Sequence, residues 1–159
     1  MFKRLFGGGR AELSLSDPED VLNSGIEILA QPPGKNMSTL SLLSGGERSM
    51  TAVALLFATY QVKPSPFCIL DEIDAALDDR NIGYFLDVLQ DFARDSQFII
   101  ITHNIHTVTG GDTMLGVSQM EPGVSTAVSY RIASISGQPR IINDEGESVE
   151  FDEEGRRKE

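Results

Sequence analysis

Four short stretches carry residue types that could act on a phosphate, in this order: Ser44-Gly45-Gly46-Glu47, Asp71-Glu72, Asp78 and His103. In the first, two glycines let the backbone come close to a phosphate, and a helix starting there offers free N–H donors and a favourable dipole. Ser44 adds a hydroxyl donor. The plainer reading of this stretch is a helix cap after a Gly-Gly turn. In the second, the apolar run Phe67-Cys68-Ile69-Leu70 ends in two carboxylates. An aspartate leaving a buried strand can hold the Mg2+ that bridges the β and γ phosphates of a nucleotide, and Asp71 takes that part, through a coordinated water rather than directly. Glu72 can then accept a proton from the attacking water or orient it. The plainer reading is a strand followed by an acidic turn. His103 follows Phe98-Ile99-Ile100-Ile101 and has a ring nitrogen to offer the γ-phosphate or that water. The cofactors implied are ATP and Mg2+.

A Gly-rich loop of the form GxxxxGK[ST], which grips the nucleotide in such enzymes, does not occur in these 159 residues. Gly34-Lys35 imitates its end, but Leu29 stands five residues before Gly34 and Asn36 replaces the Ser or Thr needed for magnesium. Gly7-Gly8-Gly9 lacks a following Lys-Ser/Thr and precedes a strand pattern. The chain therefore carries one part of a nucleotide site. Asn36-Met37-Ser38 matches a glycosylation acceptor, of no consequence in the cytosol.

The elements that must position these residues follow from periodicity. Alternation of Ala11, Leu13 and Leu15 with Glu12, Ser14 and Ser16 predicts an N-terminal β-hairpin, with Gly7-Gly8-Gly9 supplying its turn. Asp17-Pro18-Glu19-Asp20 reads as a loop, and Gly25 to Ala30 as a strand stopped by Pro32-Pro33. Met50, Val53, Ala54, Phe57 and Ala58 recur at helical spacing behind a Ser44–Glu47 capping box, ending near Val62. Phe67–Leu70 and Phe98–Ile101 read as strands buried on both faces. Between them Asp78 or Asp79 caps a helix with the stripe Ile82, Phe85, Leu86, Leu89, Phe92 and Ala93. Shorter strands are expected at Met114 to Val117 and Val124 to Ile132, leaving a sheet edge that Pro139-Arg140-Ile141-Ile142 could cover only by folding back. The fold class is α/β, a partly parallel sheet flanked by helices. Asp71-Glu72 and Thr102-His103 then leave the same edge of that sheet, where ligands of open α/β sheets bind.

The bulk composition narrows the setting. A net charge of -11 argues against a basic nucleic-acid coat. Much of the acidity lies in 143–159, read as a solvated, disordered tail after a domain spanning 1–142. The lone Cys68 excludes an internal disulfide and fits a small core residue in a reducing compartment. No apolar run reaches the roughly twenty residues of a membrane span, and Met1–Phe6 is too short for a signal peptide, so the expected localisation is cytoplasmic, with no membrane partner.

In combination and order, these stretches resemble the ATP-binding-cassette (ABC) superfamily. More narrowly, residues 2 to 132 resemble the C-terminal head lobe of structural maintenance of chromosomes (SMC) proteins. The narrower likeness rests on Leu5-Phe6-Gly7-Gly8-Gly9, Asp17-Pro18-Glu19-Asp20, Ile28-Leu29-Ala30-Gln31-Pro32-Pro33-Gly34-Lys35, Leu40-Ser41-Leu42-Leu43-Ser44-Gly45-Gly46-Glu47-Arg48, Val62-Lys63-Pro64-Ser65-Pro66-Phe67-Cys68 and Asp71-Glu72-Ile73-Asp74-Ala75-Ala76-Leu77-Asp78. The resemblance implies an ATP hydrolase completed by an N-terminal lobe bearing the Gly-rich loop and by a second head, a homodimer being expected. Asp71, Glu72 and His103 would face the nucleotide of their own head. Ser44, Gly45, Gly46 and Glu47 would read that of the opposite head, and Asp78 would lie at the seam. Further implied partners are a kleisin subunit, on a surface around Val128 and Tyr130, and DNA through the full nucleoid-associated complex. Two features depart from the pattern: Asn104-Ile105-His106 replaces an expected basic residue after His103, and Thr109-Gly110-Gly111 stands where a short helix is expected. His106 reads as a surface residue. The competing readings are a DNA-repair ATPase of similar split-head design, a transporter subunit, which would carry its Gly-rich loop in the same chain, and a non-catalytic docking module.

Overall fold

The computed structural model describes residues 1–135, 138–143 and 145–150, and these form two compact units, 1–103 and 104–159. The first unit opens with one turn of helix, α1 (Phe2–Phe6), which buries Phe2 and Leu5 and ends at Gly7 in the left-handed conformation. The three glycines thus close a helix instead of turning the expected hairpin. The hairpin itself is present: β1 (Arg10–Leu15) pairs antiparallel with β2 (Ile26–Gln31), its connection being the loop through Asp17-Pro18-Glu19-Asp20. Gly9 is needed at the entry to β1, because a Cβ there would stand 2.2 Å from the Gln31 carbonyl oxygen. Beyond Pro32-Pro33, the two-residue β3 (Ser38–Thr39) adds to β2, and a single 3₁₀ turn at Leu40–Leu42 leads to Ser44.

The helical repeat after Ser44 becomes α2 (Gly45–Val62), which buries Met50, Val53, Ala54 and Phe57. Pro64 and Pro66 break the backbone into β4 (Phe67–Asp71). Asp78 caps α3 (Asp79–Phe92), which returns the chain to β5 (Gln97–Ile101). β4 and β5 are parallel and in register from Phe67↔Gln97 to Asp71↔Ile101. Gln97 N donates to Pro66 O at 2.9 Å and Ser96 Oγ to Ser65 O at 2.8 Å, which fixes where the two strands start together.

Both strands bury one face only, contrary to the expected double burial. Cys68, Leu70, Phe98 and Ile100 pack on the core with α2 and α3, while Phe67, Ile69, Ile99 and Ile101 are 45–58% exposed. Phe57, Phe85, Phe92, Tyr60 and Phe98 form a run of tilted and edge-on rings between helices and sheet.

The second unit begins with α4 (Ile105–Thr109), a short helix that forms despite the following glycines. Asn104 caps its start, and the Gly110 N–H closes its end. β6 (Thr113–Glu121), β7 (Val124–Ile135) and β8 (Gln138–Ile142) make an antiparallel meander. The late strands are longer than expected, and β8 covers the β7 edge that the sequence left open. Of the acidic stretch 143–159, Asn143 accepts hydrogen bonds from Glu145 N and Glu147 N, and Val149, buried, donates to Ile141 O. Residues 151–159 lie outside the described residues. Among the described residues no helix is long and apolar enough to cross a membrane.

Candidate functional site

The candidate nucleotide-site residues fall in the first unit, at two places, while Val128 and Tyr130 lie on β7 in the second. The first is the start of α2. A reciprocal capping box is formed: Glu47 N donates to Ser44 Oγ, and Ser44 N and Ser44 Oγ both donate to Glu47 Oε2, at 3.0 and 2.8 Å. Lys35 Nζ stands 2.8 Å from the other carboxylate oxygen, Oε1. This partner is invisible in the sequence, where Lys35 looked only like a failed phosphate loop. Lys35 first, then Ser44, holds the Glu47 carboxyl below its usual range. Arg48 donates to the carbonyls of Ser41 and Leu43, pinning the loop before the helix. Ser44, Gly45 and Gly46 are exposed, with open space where a Gly45 Cβ would be. At Gly46 a Cβ would meet Ala76 O at 3.3 Å, so glycine lets α2 approach the loop that ends in Asp78.

The second place is the carboxyl edge of β4 and β5. The in-register pair Asp71↔Ile101 sets Asp71-Glu72 beside Thr102-His103. Glu72 N donates to Ile101 O at 2.9 Å, prolonging the pairing by one residue. Glu72 has φ 47° and is the only non-glycine with positive φ among the described residues. The chain then folds tightly, Ala75 N bonding Glu72 O and Leu77 N bonding Asp74 O. Asp71, Glu72 and His103 are exposed. Asp74, quoted in the motif but given no role, is 2% exposed and accepts from Thr102 Oγ1 at 2.7 Å. Asp78 Oδ1 accepts from Asn81 N at 2.8 Å, so one of its oxygens serves the start of α3.

No hydrogen bond or ion pair among the described residues joins the Ser44–Glu47 corner to Asp71, Glu72 or His103. The chain presents two separate part-sites, each open to solvent. The acidic edge suits a magnesium ion that keeps its waters and takes its remaining ligands from phosphates. No group of three or more His, Cys, Asp or Glu side chains among the described residues is placed to hold a metal unaided.

Residues 17–126 match a family model described as the RecF/RecN/SMC N terminal domain. The chromosome partition protein Smc of Bacillus subtilis (strain 168) is 53% identical over 132 residues, 83% of this chain and 11% of that protein. The chain thus spans about a ninth of the length of this curated relative. A solved chain from work on ATP-driven dimerisation and DNA-stimulated activation of SMC ATPases superposes with a TM-score of 0.75 at 41% identity, over 80% of this chain and 77% of that one. The Smc head domain with an extended coiled coil bound to the C-terminal domain of ScpA, derived from Pyrococcus furiosus, superposes with a TM-score of 0.74 at 43% identity, over 82% of this chain and 32% of that one.

Proposed function

On the premise that this chain belongs to the RecF/RecN/SMC family, we propose that it is the C-terminal lobe of an SMC-type ATPase head. The observation that carries this reading is the joined exit of β4 and β5, where Asp71-Glu72 and Thr102-His103 share one edge. The matched segment 17–126 bears the name of an N-terminal domain, but it contains the Ser44-Gly45-Gly46 loop and the Asp71-Glu72 pair and no GxxxxGK[ST] loop. That content fits the lobe which completes a phosphate loop rather than the lobe which holds it.

In this reading Asp71 holds the magnesium of the nucleotide bound by the complementary lobe. Mg2+, when bound, neutralises the charge of the β and γ phosphates. Glu72 accepts the proton of the attacking water, and His103 hydrogen-bonds the γ-phosphate or orients that water. Ser44 and the free N–H groups of α2 read the γ-phosphate of the nucleotide on a second head. Asp78 stands at the seam between heads, so ATP clamps them and hydrolysis releases them. The setting we propose is cytoplasmic, in chromosome partition, with DNA met through the full complex. The ScpA-bound Smc head encourages a kleisin partner, and the surface we propose for it is the β7 face that holds Val128 and Tyr130, since β8 covers the edge of that strand. Polar substitutions at both positions abolish kleisin pull-down; binding that survives them puts the surface elsewhere.

Two variants of the head assembled from this chain and a phosphate-loop lobe test the reading. Glu72→Gln keeps ATP binding and head pairing but lowers single-turnover hydrolysis by about 10²–10⁴-fold. Ser44→Arg keeps nucleotide binding within one head and abolishes ATP-dependent dimerisation in sedimentation runs. Full hydrolysis by Glu72→Gln, or unchanged dimerisation of Ser44→Arg, defeats the assignment.

A further inference from the structure

Glu72 and His103 follow two different strands, β4 and β5, and no side-chain hydrogen bond among the described residues fixes one against the other. The fold ties them at two other points. Glu72 N bonds Ile101 O, and two residues further Asp74 accepts from Thr102 Oγ1. The ties therefore flank Glu72 on the chain side and end at the two residues before His103. Asp74 is buried while Asp71, Glu72 and His103 around it are open to solvent. A carboxylate taken out of water is costly unless its hydrogen bonds are satisfied, and here Thr102 supplies one. Glu72 meanwhile holds a left-handed φ of 47°, which a side-chain-bearing residue keeps only where its surroundings over-determine it.

We propose that Asp74 and Thr102 are positioning residues, a buried brace that aims the Glu72 carboxylate at the same reacting water as His103. The inference rests on the ATPase reading above. Neither residue touches nucleotide; both act through the shape of the turn. Losing the brace lets Glu72 relax towards negative φ and swings its carboxylate away, while the Ser44–Glu47 capping box and the Lys35 ion pair at the start of α2 keep their own bonds.

The experiment uses the assembled two-lobe head. Thr102→Val removes the donor at nearly constant volume, and Thr102→Ser restores it. We expect Thr102→Val to lower kcat by about tenfold or more, with KM for ATP and ATP-driven dimerisation within about twofold of wild type, and Thr102→Ser to recover most of kcat. Asp74→Ala reads the same tie from the other end, and the double variant should be no slower than the slower single one. Thr102→Ala replaces Thr102→Val where the latter does not fold. The brace is overturned if kcat is unchanged without the hydroxyl, if KM for ATP rises and dimerisation weakens in step with the loss of kcat, or if the two losses multiply. Glu72→Gln run alongside separates the two ideas. Turnover retained in Glu72→Gln sinks the catalytic reading, whereas a dead Glu72→Gln beside a fully active Thr102→Val sinks only the brace.

Discussion

Glu47 is held from two sides, by Lys35 on one carboxylate oxygen and by Ser44 on the other. Its pKa is lowered in the folded state, so the stability it contributes is whole above the unfolded value near 4.5 and is lost as pH falls through the lower folded value. Glu47→Gln should therefore cost about 1 kcal/mol at pH 7, as loss of a helix cap does, and the gap to wild type should close as pH falls from the unfolded value through the lower folded one. Thermal melts across that range check it; a gap that persists in acid would mean the amide loses packing and not charge. The capping box was legible because Ser44 and Glu47 are three residues apart, and local spacing decides such a bond. Lys35 was not, because only the β2–β3 turn brings it there. Asp74 escaped for a like reason: its burial and its bond to Thr102 exist only after β4 and β5 pair.

At the scale of elements, Gly9 and Gly34 make a contrast. Both have positive φ, 71° and 76°, but a Cβ on Gly9 strikes the Gln31 carbonyl, while on Gly34 nothing lies within 4 Å. Gly34→Ala should cost about 1–2 kcal/mol in chemical denaturation, the strain alone. Gly9→Ala should cost about 2–5 kcal/mol, strain plus overpacking. Equal midpoints for the two would mean that β1 shifts freely away from β2. Periodicity located α2, α3, β4 and β5 within a residue or two, since each has a dedicated apolar stripe or run. It misjudged the glycines at 7–9, because a five-residue helix leaves too little pattern to set against a turn. It offered β8 only as the alternative in which Pro139-Arg140-Ile141-Ile142 folds back, because Pro139 and Arg140 look unlike a strand, although as an edge strand β8 tolerates a proline.

For the whole molecule, the outward face of β4 and β5 is the informative surface. Phe67, Ile69, Ile99 and Ile101 make an apolar stripe across it. The sequence showed two uninterrupted apolar runs and so two buried faces. The outward residues of both runs are apolar and open to solvent in this structure. Alone, the chain should bind an apolar dye and self-associate with rising concentration in sedimentation velocity. Ile69→Thr with Ile99→Thr should suppress both while shifting the melting temperature little, as should adding the phosphate-loop lobe; association that survives both treatments would locate the sticky surface elsewhere. The opposite face of the same strand carries a built-in clock. Cys68 packs against the core, and burial pushes its thiol pKa up, so at neutral pH little of it is thiolate and less of that can be reached. Cys68 is only partly buried, so the rate at which a disulfide reagent modifies it sums direct attack on the folded state and attack during opening of the strand. A partner that slows this labelling without touching the core face would do so by holding the strand down on the helices, and one that leaves the rate unchanged would not.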